Sequence, residues 1–193
     1  LPLGHTLADP LCAACWATPP RLAAIRGCFR YTGSARDLIL AFKHGDGLQL
    51  TPFLTRLMAR LFIELVQDDT LVVPIPLHRR RYYRRRYNQA AELARHLCAV
   101  TGLGMFAPHM LIRRRATRSQ GGLSRHQRMR NVNGAFAVPP SARATLQDRP
   151  VLLIDDVMTT GATLGEAARR LQAAGGGDVS ALVLARVTRP QDA

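Results

Sequence analysis

Two adjacent carboxylates follow an apolar run, and hydroxyl residues and a glycine come directly after them. Residues 151–154 are all aliphatic, Asp155 and Asp156 come next, and residues 159–163 read Thr-Thr-Gly-Ala-Thr. An ionised carboxylate only accepts hydrogen bonds, which suits the pair to the vicinal hydroxyls of a ribose. Hydroxyls and the free N–H groups that begin a helix attract a phosphate, and glycine permits its close approach. This order predicts a site for a phosphorylated sugar.

In this site Asp155 and Asp156 are the candidate catalytic pair. A simpler interpretation is that one acid caps the following helix while Thr-Gly makes a turn, but capping needs one acidic residue, and two adjacent carboxylates repel each other. The candidate phosphate-binding residues are Val157, Met158, Thr159, Thr160, Gly161, Ala162 and Thr163.

A second polar segment follows an earlier aliphatic run. Residues 71–76 read Leu-Val-Val-Pro-Ile-Pro, and a histidine and three arginines follow Leu77. Arginine forks and exposed backbone amides suit a pyrophosphate group. The alternative interpretation is a solvated basic turn. The candidate pyrophosphate loop comprises Leu77, His78, Arg79 and Arg80.

Positive charge dominates the chain, whose formal net charge is +14. Lys43 is the only lysine among the 27 basic residues, so either it survived by chance or its ammonium contacts a phosphate in a way that guanidinium cannot. Residues 113–130 hold seven arginines and can form a flexible loop that closes over a ligand, track a nucleic-acid backbone, or be a solvated basic face. The candidate flexible-loop residues are Arg115, Thr117 and Gln120, and the tyrosines that interleave with arginines and suit base stacking are Tyr82, Tyr83 and Tyr87.

Four cysteines indicate a metal fragment better than a secreted disulfide framework. Cys12 and Cys15 form a C-x-x-C pair, whereas Cys28 and Cys98 stand alone in apolar surroundings. No apolar run approaches the roughly 20 residues that a membrane span needs. Together with the absence of a visible signal peptide, these features predict a cytoplasmic protein that does not enter a membrane. Because the sequence begins with Leu1 and not with Met, we also expect that some N-terminal residues are missing.

Strand-like and helix-like segments alternate along most of the chain. We expect helices over residues 34–42, 48–66, 88–100 and 163–174, and strands over residues 71–76, 110–112, 151–154 and 179–187. This order predicts an α/β fold with a doubly wound, mostly parallel sheet, in which ligands lie beyond the carboxyl ends of the strands. Residues 1–30 show no sustained periodicity and are expected to form a small separate module, with residues 31–193 as the main domain.

The acidic pair and the Thr-Thr-Gly-x-Thr run resemble the signature with which type I phosphoribosyltransferases bind 5-phosphoribosyl-1-pyrophosphate (PRPP). Over about residues 12–188 the chain is similar to the ComF family (ComFC and GntX-like proteins), which usually has Arg-Gly-Phe-Asn-Gln where this chain has Arg85 to Gln89 with Arg86 in place of glycine. The segments that carry this likeness are residues 74–78, 85–90, 117–120 and 134–136, with Leu123, Arg128 and Asn131.

The resemblance implies PRPP or ribose 5-phosphate as ligand, with Mg²⁺, and a role in natural competence in the cytoplasm. It also implies that residues 1–30 are part of a zinc ribbon, in which Cys12 and Cys15 bind Zn²⁺ together with two cysteines expected upstream of Leu1. Two alternatives remain at this stage. The chain can be a factor that binds single-stranded DNA or competence proteins and has a vestigial pocket, or, less consistently with residues 30–66, a nucleobase salvage enzyme.

Overall fold

The computed structural model of the protein describes residues 21–43, 47–78, 82 and 83, 86–117, and 124–187. Its centre is a five-stranded parallel sheet with the strand order β1-β7-β6-β2-β3. The strands of this sheet are β1 (Ile25–Arg30), β2 (Leu71–Pro74), β3 (Met105–Phe106), β6 (Val151–Met158) and β7 (Val179–Arg186). A separate antiparallel ribbon pairs β4 (Ile112–Arg113) with β5 (Phe136–Ala137).

The structure describes six α-helices over their full length, and they connect these strands. They are α1 (Gly33–Lys43), α2 (Thr51–Leu65), α3 (Gln89–Thr101), α4 (Arg125–Val132), α5 (Arg143–Leu146) and α6 (Ala162–Gln172). Short 3-10 turns precede α2 and α5, at Gly47–Leu50 and Pro140–Ala142. Parallel strands need such crossover connections, so the helices follow from the strand order.

Both faces of the sheet are buried, because successive residues of a strand point to opposite faces. On β6, Leu152 and Ile154 belong to a core shared with α1, α2 and α3, whereas Val151 and Leu153 belong to a core shared with α6 and the β4–β5 ribbon. The predicted doubly wound, mostly parallel sheet is confirmed. Its burial on two faces explains why residues 151–154 read as an unbroken aliphatic run.

The structure differs from the sequence prediction at two strands. Ile25–Arg30 pairs in parallel with β7 as the edge strand of the main sheet, so these residues of the expected separate module belong to the α/β domain. The strand expected over residues 110–112 is wrong, because Met105–Phe106 pairs with β2 instead and Ile112 begins the ribbon. Both misplaced segments are short and lie at an edge, where the apolar pattern is weakest.

Helices of this chain are too short or too polar to cross a membrane in the ranges that the structure describes. The longest of them is α2, with 15 residues, and it carries Arg56, Arg60 and Glu64.

Candidate functional site

A cavity of about 350 Å³ opens at the carboxyl ends of the parallel strands. Ile75 borders it just beyond β2, Tyr31 just beyond β1, and Val187 just beyond β7. Ligands of open α/β sheets lie at this position, because the loops and helix N-termini converge there. The predicted site residues that line the cavity are Lys43, Leu77, Asp155, Asp156, Val157, Met158, Thr159, Gly161, Ala162 and Thr163.

The two carboxylates lie on the last part of β6, which continues through them to Met158. Asp155 Oδ1 accepts a hydrogen bond of 2.8 Å from the backbone N–H of Asp156. Burial and the charge of Asp156 raise the pKa of Asp155 to about 7, against the lowering effects of the Asp156 amide, Lys43 and Arg113. The pair is thus partly neutralised by cations and can accept hydrogen bonds from a ligand.

Lys43, the last residue of α1, reaches the acidic pair from one face of the sheet. Its Nζ lies 3.2 Å from Asp156 Oδ2, and both side chains are mostly buried. The preceding residue, Phe42, accepts a hydrogen bond of 2.5 Å at its carbonyl oxygen from the hydroxyl of Tyr87. The sequence singled out Lys43 as a phosphate contact, and the structure places its ammonium on a carboxylate at the edge of the same cavity.

Arg113 reaches the cavity from the opposite face and was not among the predicted site residues. Its guanidinium stacks 5.1 Å from the ring centroid of Phe136 and donates hydrogen bonds to the carbonyl oxygen of Pro76 and to Thr117 Oγ1. It lowers the pKa of Asp155 by its charge. Among 26 arginines nothing in the sequence marked it; the nearest signal was its position at the start of the basic segment.

The loop from β6 into α6 has the backbone that a phosphate site needs. Gly161 stands at the N-cap with φ +74, a conformation that favours glycine, and no side chain caps the helix there. Ala162 and Thr163 begin the helix and line the cavity. Their N–H groups belong to the first turn, which lacks intrahelical acceptors and carries the positive end of the helix dipole.

Some predicted residues lie elsewhere. Thr160 and His78 are not among the residues that line the cavity. Arg115 donates hydrogen bonds of 2.9 Å to the carbonyl oxygens of Asn131 and Asn133, so it anchors the end of α4. Thr117 does not line the cavity, but its Oγ1 accepts a hydrogen bond from Arg113, which does. Arg79, Arg80, Gln120, Cys12 and Cys15 lie outside the described residues.

Two residues just before α3, Arg86 and Tyr87, bear on the sequence predictions. Tyr87 is only 8% exposed, so the prediction that it is available for base stacking is wrong. Arg86 has φ +67, a left-handed conformation that favours glycine, and glycine is the residue that the family usually has at this place. Asn88 caps α3 by accepting from the Ala90 N–H, and it donates to the carbonyl oxygen of Ile75.

Glu166 braces the β4–β5 ribbon against α6. Its carboxylate accepts hydrogen bonds from Arg169, Arg170 and the backbone N–H of Gly134. Burial opposes its ionisation, but the hydrogen bonds from Arg169, Gly134 and Arg170 outweigh burial and hold the pKa of Glu166 below its usual range. The ribbon that carries Arg113 is therefore tied to the helix that begins at the cavity.

The described cysteines do not fit a zinc site. Cys28 lies on β1 and Cys98 on α3, and both pack against the core that includes α1, α2 and α3. Burial raises the pKa of each thiol to about 11, which disfavours the thiolate that a metal binds. The described part of the chain also contains no group of three or more His, Cys, Asp or Glu side chains placed to hold a metal ion.

Comparisons with known proteins identify the family of the chain. The model of the phosphoribosyl transferase domain matches residues 88–193, more than half of the chain. DNA utilization protein YhgH of Salmonella typhi is 31% identical over 192 residues, which cover 96% of this chain and 81% of that protein. Competence protein F of Haemophilus influenzae is 32% identical over 143 residues, which cover 69% of this chain and 62% of that protein.

Among solved structures, the glutamine PRPP amidotransferase of B. subtilis complexed with ADP and GMP aligns at a TM-score of 0.49 and 18% identity, over 77% of this chain and 30% of that one. A phosphoribosyl transferase domain implies that the chain binds a PRPP-type substrate. The chain belongs to the phosphoribosyl transferase domain family, as a member of its ComF group.

Proposed function

We propose that the cavity binds PRPP or ribose 5-phosphate and that Asp155 and Asp156 accept hydrogen bonds from the 2′- and 3′-hydroxyls of the ribose. Thr159, Gly161 and the first turn of α6 hold the 5′-phosphate with N–H groups and hydroxyls. The observation that carries this proposal is that the acidic pair and an uncapped helix N-terminus border the same cavity. Donors for a phosphate and acceptors for a diol are thereby brought side by side.

The pyrophosphate of PRPP would lie toward the segment that begins at Leu77, which borders the cavity. Arg113, which is tied to Pro76, adds a positive charge on that side. Mg²⁺ bound to the pyrophosphate would offset its charge as the bond to the ribose breaks. If the chain transfers the phosphoribosyl group, Asp155 and Asp156 stabilise an oxocarbenium-like ribose through its hydroxyls and their own charge.

The biological role that we propose is in competence and DNA utilisation in the cytoplasm. Its support is the likeness to proteins named Competence protein F and DNA utilization protein YhgH. We further propose that Cys12 and Cys15, which have C-x-x-C spacing, bind a structural Zn²⁺ with two further cysteines. Cys28 is not proposed as one of these, because it lies on β1 and burial raises the pKa of its thiol.

Calorimetry tests the ribose-phosphate site. We expect PRPP to bind with a dependence on Mg²⁺, and the combined change Asp155→Ala with Asp156→Ala to abolish the heat, because the hydroxyl acceptors are lost. Asp178→Ala, an acidic residue just before β7 that does not line the cavity, is the control. Binding that persisted in the double variant would contradict the proposal.

A second candidate function, contact with single-stranded DNA, is favoured by one observation. Tyr82 and Tyr83 are 49% and 80% exposed and pack edge to face at 6.4 Å. Exposed rings beside arginines suit stacking on bases. Gel shifts across salt concentrations should show affinity falling as salt rises, with a weaker dependence after Arg86→Glu and a loss after Tyr82→Ala with Tyr83→Ala. DNA affinity independent of salt would exclude this contact.

A further inference from the structure

A buried hydroxyl outside the cavity lies against the helix that carries Lys43. The ring of Tyr87 packs on that of Phe42 with centroids 6.3 Å apart and a tilt of 56°. Its hydroxyl donates to the carbonyl oxygen of Phe42 at 2.5 Å, although 45 positions separate the two residues. Phe42 is fully buried and Tyr87 nearly so. The hydrogen bond therefore joins the segment before α3 to the end of α1.

This hydrogen bond falls where α1 is least constrained by its own backbone. The last four carbonyl groups of an α-helix have no intrahelical N–H partner, and helix ends fray for that reason. Phe42 is the penultimate residue of α1, and Lys43 is the last. Tyr87 thus supplies a donor to the final turn, one residue before the side chain that enters the cavity.

The two partners of the ion pair differ in how firmly they are fixed. Asp156 lies on β6, which pairs with β7 through Met158 and with β2 on its other side. Lys43 lies at a helix end, and its four-carbon side chain is flexible. The distance of 3.2 Å between Lys43 Nζ and Asp156 Oδ2 therefore depends on how firmly the end of α1 is held.

An ammonium fixed at this distance changes what the cavity can bind. Two neighbouring carboxylates repel an anionic sugar phosphate, and a cation beside them reduces that repulsion. Lys43 is 15% exposed and Asp156 is 17% exposed, so solvent screens the pair weakly. Arg113 supplies the second cation from the opposite face and is held by different contacts.

We propose that Tyr87 is a positioning residue that holds the end of α1, so that the Lys43 ammonium serves the acidic pair as a fixed counter-ion when a ribose phosphate binds. The inference rests on the proposed function and deepens it. Lys43 acts through Asp156, and Tyr87 acts only through Lys43. Removing the hydroxyl should consequently matter only while the ammonium is present.

The test is a double-mutant cycle read by calorimetry with ribose 5-phosphate. Lys43→Met should weaken binding about tenfold or more, since a charge-assisted contact is lost. Tyr87→Phe keeps the ring and gives the residue of the family pattern, and it should weaken binding about three- to tenfold. The double variant should bind like Lys43→Met alone, because the effect of Tyr87 passes through Lys43.

Thr55→Val is the matched control. Thr55 also has a buried hydroxyl that donates to a backbone carbonyl, at 2.8 Å from Thr51 O, but it does not line the cavity. It should lower the free energy of unfolding and leave the affinity for ribose 5-phosphate unchanged.

Each other outcome is decisive. A wild-type chain that does not bind ribose 5-phosphate or PRPP overturns the proposed function and this inference together. If the wild type binds, the inference alone fails when Tyr87→Phe binds equally well, or when Tyr87→Phe causes the same loss in the Lys43→Met background. Lys43→Met that binds as tightly as the wild type also overturns it, and that measurement holds even if Tyr87→Phe does not fold.

Discussion

The acidic pair receives its two cations from two different regions, α1 and the β4–β5 ribbon. Lys43 arrives at the end of a helix, as an ammonium on a flexible side chain, and pairs with Asp156. Arg113 arrives from a strand, and its guanidinium is fixed on three sides by Phe136, Pro76 and Thr117. Both cations offset the negative charge of the acidic pair. Lys43 is positioned through the backbone of α1, whereas the guanidinium of Arg113 is held by its own contacts.

The difference shows where each region is vulnerable. On the ribbon, the contacts belong to the guanidinium itself, and Glu166 ties the ribbon to α6. On α1, the hydrogen bond that fixes the end of the helix is accepted by Phe42, the neighbour of Lys43. A change of Arg113 should therefore alter packing and charge together. At α1, a change of Tyr87 alters a packing contact without removing a charge, and a change of Lys43 removes the charge without removing that contact.

The largest effect is expected from Arg113→Met. The change removes a charge near Asp155 together with the hydrogen bonds to Pro76 and Thr117, so we expect about 2 kcal/mol lower stability and about 30-fold weaker binding of ribose 5-phosphate. Urea denaturation and calorimetry measure the two. Arg114→Met, at an exposed neighbour outside this cavity, is the control. If Arg114→Met lowered stability and affinity as much as Arg113→Met, the contacts of the Arg113 guanidinium would not explain the effect, and the distinction between the ribbon and α1 would fail.

A pH-dependent effect is expected from Asp155→Asn. The pKa of Asp155 is about 7 in the folded chain, raised by burial and by Asp156, and about 4 in an unfolded chain. The folded state binds more protons between these values, so the free energy of unfolding of the wild type should fall as pH rises from about 4 to 7. Asparagine cannot titrate, so the variant should lose this decline.

Denaturation at pH 5 and pH 8 measures the difference. Lys43→Met should extend the decline to higher pH, because the ammonium lowers the pKa of Asp155. Parallel pH profiles for the wild type and Asp155→Asn would show that Asp155 does not titrate as inferred.

The smallest effect is expected from Arg86→Gly. Arg86 has φ +67 directly before Tyr87, and glycine adopts this conformation without strain, so the change should stabilise the chain by about 0.5–1 kcal/mol. Asp148→Gly, at φ +51 and away from the cavity, is the matched control and should gain similarly. If both changes stabilise but only Arg86→Gly alters ribose 5-phosphate binding, the α1 side depends on backbone stiffness at residue 86. A loss of stability would contradict the assignment of strain.

Much of this arrangement was predictable from local sequence. The aliphatic run before Asp155 and Asp156 predicted a buried strand, and Gly161 predicted a turn into a helix, because both signals lie within a few residues. Lys43 was recognisable because it is a single exception among basic residues. Arg113 was not, since it is one of 26 arginines and its neighbours in space, Pro76 and Phe136, are distant in sequence.

By itself, the sequence determined the parallel α/β fold, the acidic pair at a strand end and the glycine turn behind it, since these depend on residue type and short spacing. Only the tertiary structure decided that Lys43 and Arg113 meet the pair from opposite faces, that Tyr87 is buried, and that Ile25–Arg30 joins the sheet. The physical reason is that contacts between distant segments depend on how the helices and the ribbon pack on the sheet, which no local pattern specifies.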